Sequence, residues 1–308
     1  MHHWSFVAAT SICLAENELE LWARGFPEVG FQHPFVAHGL LSVAALHLAN
    51  AACDDLDLRA QHTNRAIFHH NASLNGFRQA VMAITAENSE ALFIWSLLNL
   101  IYVLGISIHD PITSAPSNKD LVLGAEWIPM LLGVGAVLMP IYGFLAGGRM
   151  QTFFDIGNFG DIVLDDIKDD AMDEQMRRLS ETWEASGDAA IYRDTLINLR
   201  RLTRFVAQFK TMQDSELAQW GYNRAWSGPM IFIHMAPEEY FTLLRQRQPP
   251  ALVLFAFFGA ILHEMRHYWF IQDLGKKIAE VVDELLGSYW RPWIAFPLEQ
   301  VGASRGRI

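Results

Sequence analysis

Two motifs in this sequence have the residue types and spacing of metal chemistry. The run His263-Glu264-Met265-Arg266-His267 sets two histidines four positions apart. On a helix that spacing puts both imidazoles on one face, where zinc takes them together with a third ligand further along. Glu280 and Glu284 are the available acids and stand at an unfavourable spacing, so a pair of packed or partly exposed helix histidines is the simpler reading. The run Asp165-Asp166-Ile167-Lys168-Asp169 has carboxylates spaced to hold Mg²⁺ against a diphosphate. It sits among seven acids between Asp161 and Glu174, and no second metal motif follows, so a solvated acidic face is expected. No metal ligand is assigned.

The remaining chemistry belongs to polar groups set in apolar runs. Trp95, Asn99 and Tyr102 stand at i, i+4 and i+7 of the apolar run 91–108 and share a helical face. A buried asparagine needs hydrogen-bond partners, either on neighbouring helices or on the polar group of an otherwise apolar ligand. His38 shares a face with Ser42, whereas His47, nine positions on, points the opposite way. Beside His263 the small residues Ala256, Gly259 and Ala260 form a notch suited to close helix packing or to a ligand. Asn99, Tyr102, His38 and His263 are therefore the candidates for orienting or protonating a substrate oxygen. Trp95, Ser42, Trp127, Tyr142, Gly259 and His267 are the candidates for lining a ligand site. Cys13 and Cys53 lack an activating neighbour and are expected to be inert. Asn71-Ala72-Ser73 is a glycosylation sequon without a secretory signal. No phosphate loop, dinucleotide fingerprint or nucleophile elbow occurs, and no cofactor is expected.

Helices must position these residues. Period-two alternation is scarce, and no Asn-Gly or Asp-Gly hairpin turn is found. Pro34 stands where a first-turn proline belongs, and Asn88 has the position of an N-cap before the run from Ala91. Pro237 precedes two acids and an apolar run, and Pro249–Pro250 breaks the chain before another. The 308 residues are 51% hydrophobic and 19% charged, with a net charge of 23 − 34 = −11. That composition excludes disorder, two cysteines exclude a disulfide framework, and the charge argues against direct nucleic-acid binding. The stretches 91–108 and 127–148 are apolar enough to raise the question of a membrane. Ser96 and Asn99 in the first, with Pro129, Pro140 and several glycines in the second, suit buried helices equally well, and no membrane span is assigned. The expectation is an all-α, single-domain, multi-helix bundle over 1–308 with an acidic excursion at about 157–187.

The order of several segments carries a resemblance. MHHWSFVAATSICL, LWARGFPEVGFQHPFVAHGLLSVAALHLA and AITAENSEALFIWSLL resemble the start of the C-terminal regulatory domain of fungal binuclear zinc-cluster transcription factors, the sterol-uptake regulators above all. EWIPMLLGVGAVL resembles that family's next helix, and the run from Pro249 to Gly302 resembles its C-terminal block. The resemblance implies an all-helical domain, often dimeric, enclosing an apolar pocket that holds a sterol in the sterol regulators. It also implies that HEMRH is part of a long C-terminal helix with no metal. This sequence departs from the family at Leu132, where the family has Arg, and in a softened Trp-rich stretch at 268–275. The family's cysteine-rich DNA-binding module has no counterpart in these residues.

Three functions follow as expectations. The chain starts and ends where the resembled domain does, which suggests a stand-alone protein. The leading reading is then a cofactor-free cyclase, isomerase or cycloaddition catalyst of secondary metabolism, holding a terpenoid or polyketide in a near-reactive conformer away from water. The alternative is a lipid- or sterol-sensing regulatory domain, or a modulator pairing with a full-length regulator. The third is a metal-dependent enzyme using DDxxD or HExxH. All place a small hydrophobic molecule as partner, with a homodimer and a cytoplasmic or nuclear location.

Overall fold

Helices begin where proline and capping residues stand. The computed structural model describes residues 1–13, 16–52, 54–109, 119–145, 147–153, 159–164, 170–213 and 224–303. The N-terminal residues run through short helical turns, Trp4–Ala8, Ala9–Ile12, Leu21–Gly25 and Phe26–Gln32. Helix α1 (Pro34–Ala51) opens on Pro34, whose missing N–H is not needed in the first turn. Asp55 caps α2 (Leu56–Val81), accepting from the Leu58 N–H at 2.9 Å. Helix α3 (Ala86–His109) starts earlier than Asn88 suggests. Thr85 and Asn88 close a reciprocal capping pair: the Asn88 side chain accepts from the Thr85 N–H at 2.9 Å, and the Thr85 hydroxyl accepts from the Asn88 N–H at 3.3 Å. Asn88 is thus the third helical residue, not the cap.

Helix α4 (Trp127–Leu145) follows, then α5 (Ala171–Arg178), which lies inside the acidic stretch. Asp170 caps α5 through the N–H groups of Met172 and Asp173. Asp173 is buried and accepts from Arg200 at 2.6 Å and Arg177 at 2.7 Å, so part of the acidic excursion is pinned to the bundle and is not a solvated face. Arg200 belongs to α6 (Ala189–Gln208). Then come α7 (Arg224–Met235), α8 (Glu238–Arg245), α9 (Pro249–His263) and α10 (Leu274–Gln300), which Gly287, at φ 69°, breaks into two helical halves. The architecture is all-α, with no strand among the described residues.

Helix α9 organises the core. Every residue from Ala251 to Leu262 is buried, as a helix apolar on all sides requires. Trp127 of α4 lies parallel to Phe255 and Phe258 at 6.3 and 6.4 Å, and Phe232 of α7 stacks on Phe258 at 5.1 Å. Tyr240 of α8 donates to the Ala251 carbonyl at 3.1 Å. Against α10 the backbones themselves touch: a Cβ at Gly275 would overlap the Gly259 carbonyl and the His263 backbone, and one at Gly259 would lie 2.9 Å from the Gly275 carbonyl. Trp269, just beyond α9, donates to Ser11 at 3.1 Å and fixes the N-terminal turns to this core.

Among the described residues, three helical segments are long and apolar enough to cross a membrane: 34–51, 86–106 and 119–137. The second is 83% buried within the protein, whereas the third is only 33% buried. Met130, Met139, Tyr142 and Phe144 of α4 are exposed.

The glycines of α4 and α10 should behave oppositely. Gly275→Ala is expected to cost about 3 kcal/mol by forcing α9 and α10 apart. Gly133→Ala, with nothing within 4 Å of the added methyl, should be neutral or stabilising by about 0.5–1 kcal/mol. Urea unfolding midpoints compare the two; equal small effects would show slack in the crossing.

Candidate functional site

Helix α2 gathers most of the polar candidates into one layer. Its stripe Ala66, His70, Ser73 and Phe77 repeats at four, three and four residues, which puts all four on one face. Along α1, Ser42 donates to the Ala66 carbonyl at 2.8 Å, and the Nδ1 atoms of His38 and His69 lie 2.9 Å apart. Toward α3, the Phe77 ring lies on Trp95 at 3.8 Å and 19°, and the His70 ring lies on Tyr102 at 3.8 Å and 8°. His70 is also nearly parallel to Trp95, at 6.3 Å and 16°. Asn99 stands between the two stacks, half-buried, with no side-chain hydrogen bond among the described residues. The structure therefore brings together Trp95, Asn99, Tyr102, His38 and Ser42, which came from two separate helices in the sequence reading. That reading missed His69, His70 and Phe77, although the apolar and small stripe on an otherwise polar α2 marks them.

Histidine pairs clasp this layer. A hydrogen bond between two imidazole nitrogens needs one N–H and one lone pair, so at least one ring must be neutral. His38–His69 is one pair; His3–His47, with Nε2 to Nδ1 at 3.0 Å, is the other. His47 also meets the Trp269 ring edge-on at 5.3 Å. Burial holds His47 and His70 down to about 4 and lowers His69 and His3. His70 is consequently an uncharged aromatic plate at neutral pH.

The C-terminal candidates part company. Helix α9 ends at His263, and the chain turns through 264–270, so His263 and His267 are not on one helical face as HExxH requires. His263 is half-buried with an unpartnered Nδ1, Glu264 pairs with Lys210 at 2.8 Å, and His267 is exposed against Tyr268. The expected long helix through HEMRH is likewise corrected. No group of three His, Cys, Asp or Glu residues that could hold a metal occurs among the described residues. The DDxxD run 165–169 and Cys53 lie outside them. Gly259 is occupied by its contact with Gly275. Trp127 is buried in the core with its indole N–H unpartnered, and Tyr142 is exposed on α4.

Among the described residues, charged side chains border two cavities. One of about 310 Å³ lies between α5, α6, α9 and α10, with Val206, Ile261 and Phe296 beneath Asp170, Lys210 and Glu264. Another of about 480 Å³ lies beside the N-terminal turns, among Glu18, Glu20, Arg24, Glu28 and Arg149. The first mixes apolar and charged lining, and the second is mostly charged.

The sequence has recognisable relatives. It is 24% identical, over 97% of its length, to a Zn(2)-C6 fungal-type transcription factor of Gibberella zeae. It is 28% identical over 53% of its length to Sterol uptake control protein 2 of Candida albicans, and 23% identical over 54% to Sterol uptake control protein 2 of Saccharomyces cerevisiae. No family model matches. The chain is thus similar in sequence to a fungal zinc-cluster transcription factor and to two sterol uptake control proteins, in line with the segment order. It spans about 60% of the first relative's length and 22% and 18% of the other two. Its two cysteines cannot supply a six-cysteine cluster, so the similarity lies outside that module. None of these three relatives carries an enzyme's name, and they favour the regulatory alternative over the cyclase.

Acid should loosen the histidine layer. The unfolded chain protonates His47 and His70 near 6.5, whereas the folded protein resists until about 4. Their neutral burial therefore gives stability that is complete above 6.5 and lost as pH falls toward 4. Urea midpoints should drop between pH 7.5 and pH 5. His70→Phe, which keeps a stacked ring but cannot titrate, should remove part of that slope; a flat wild-type profile would contradict the assignment.

Proposed function

We propose that this chain is the ligand-sensing regulatory part of a fungal zinc-cluster-type transcription regulator, and that its ligand is a hydrophobic, sterol-like molecule. The observation that carries the reading is similarity to Sterol uptake control protein 2 of two yeasts across about half of the chain, within a relationship to a zinc-cluster factor across 97%. DNA contact then belongs to a cysteine-rich module outside these residues, and the work is done in the nucleus or cytoplasm. The physical logic is linkage. A ligand that binds only one packing of the bundle stabilises it in proportion to RT ln(1 + [L]/Kd), and small helix shifts transmit that choice to the attached module.

The test is twofold. A sterol presented from cyclodextrin should raise the melting temperature of the purified chain by several degrees, with a saturated straight-chain alcohol as control. Joined to a zinc-cluster DNA-binding module, the chain should make a reporter respond to sterol depletion. Conversion of a polyene or terpenoid to a new product, without any effect on the reporter, would overturn the regulatory reading in favour of the cyclase.

A further inference from the structure

The four rings between α2 and α3 are arranged as parallel plates. Phe77 on Trp95 and His70 on Tyr102 are both face-to-face sandwiches with centroids 3.8 Å apart, and His70 and Trp95 are tilted by only 16°. Aromatic pairs in proteins favour offset or edge-to-face contacts with centroids about 4.5–7 Å apart. Two close sandwiches in one layer are therefore the geometry of a flat slot that has been filled. Its walls and its fillers come from different helices. Trp95 and Tyr102 are 4% and 7% exposed and sit on α3, whereas Phe77 and His70 are half-buried and reach over from α2. Of the 26 residues of α2 only Ala66 and Ser73 are fully buried.

The α2 backbone is held by something other than these rings. It lies along α1, fixed by the Ser42 bond to the Ala66 carbonyl and by the His38–His69 contact. Gly76 sets it close to Phe35, where a Cβ would stand 2.7 Å from that side chain. The rings of Phe77 and His70 can therefore rotate outward while α2 stays on α1. What they would uncover is a strip two helical turns long, about 10 Å, with an aromatic face at each end and the Asn99 amide in the middle. Asn99 offers both a donor and an acceptor.

We propose that the Trp95–Asn99–Tyr102 face of α3 is a binding slot for a flat, fused-ring apolar molecule bearing one hydroxyl or carbonyl, and that Phe77 and His70 are its internal occupants in the ligand-free chain. The slot stands on the ring geometry; only the identity of the ring system as a sterol rests on the proposed function. Self-occupancy makes a specific demand. A ligand must displace the two rings, so its apparent affinity is lowered by the fraction of time that they fill the slot. Removing an occupant should tighten binding, and removing a wall should weaken it.

The experiment uses the full chain with two probes, a fluorescent conjugated-triene sterol and pyrene. Phe77→Ala and His70→Ala are expected to tighten sterol binding about 10-fold, and Trp95→Leu to weaken it about 10-fold. Asn99→Leu should weaken the sterol and leave pyrene, which has no polar group, unaffected. Each variant is first checked for helicity and a cooperative urea transition; if Phe77→Ala fails to fold, Phe77→Leu and His70→Ala take its place. A layer with only a packing role would lose affinity in every variant. If the wild type binds the sterol and the occupant variants bind it no better, the slot is refuted while the sterol-sensing reading survives. If Phe77→Ala gains pyrene but no variant takes the sterol, the slot stands and the sterol reading fails. If no variant binds either probe, the slot is refuted.

Discussion

Burial of α9 on every side is the constraint on which the bundle depends. Twelve consecutive residues, Ala251 to Leu262, are shut away from water, and a helix with no solvent face can exist only if other helices surround it. Aromatic side chains from α4, α7 and α8 reach it from several directions. On the side of α10 the contact is closer still, because Gly259 and Gly275 bring two backbones together. The C-terminal half is thereby rigid at its centre, and its histidines near 263 serve the end of a packed helix.

The N-terminal layer is built on a different principle. α1, α2 and α3 meet through small residues, hydrogen-bonded imidazoles and stacked rings, and α2 is covered on only a narrow stripe. Dense packing and polar clasps have different tolerances. The first resists any added atom, whereas the second depends on protonation and on side-chain rotation. α9–α10 and α1–α3 combine the two within one continuous hydrophobic core.

Much of the fold was legible in the sequence because proline and apolar runs act locally. Pro34, Pro237 and Pro249 mark helix starts that the structure reproduces within a residue, and the absence of alternation correctly predicts the absence of strands among the described residues. Local signals failed where tertiary partners decide. Asn88 looked like a cap until Thr85 is seen to share the task, and HEMRH looked helical although α9 ends at its first residue. Asp173 looked solvated because nothing in the acidic run announces Arg200, 27 positions away. For the candidate site, helical spacing found the α3 face of Trp95, Asn99 and Tyr102 and the α1 pair His38 and Ser42. It passed over what lies on them, since His70 and Phe77 sit on a mostly polar helix where only a narrow stripe marks them. The likeness to zinc-cluster regulators was carried by the order of whole segments and by no single side-chain pattern, and the relatives repeat it.

The pairing of helices also bears on how the chain reaches this state. α1 lies against α2 and α9 against α10 more extensively than any other helices, and each pair is joined by a short connection. Contacts between neighbours in sequence close small loops, which is the fast regime of folding. The two hairpins can each form from their own residues, the first while the remainder is still being synthesised. The slow step is then their union, when α3 and the Trp269 segment bring the early hairpin onto the late one. That makes residues such as Trp269 and Ser11, whose bond spans 258 positions, determinants of when the protein is finished as well as of its final shape.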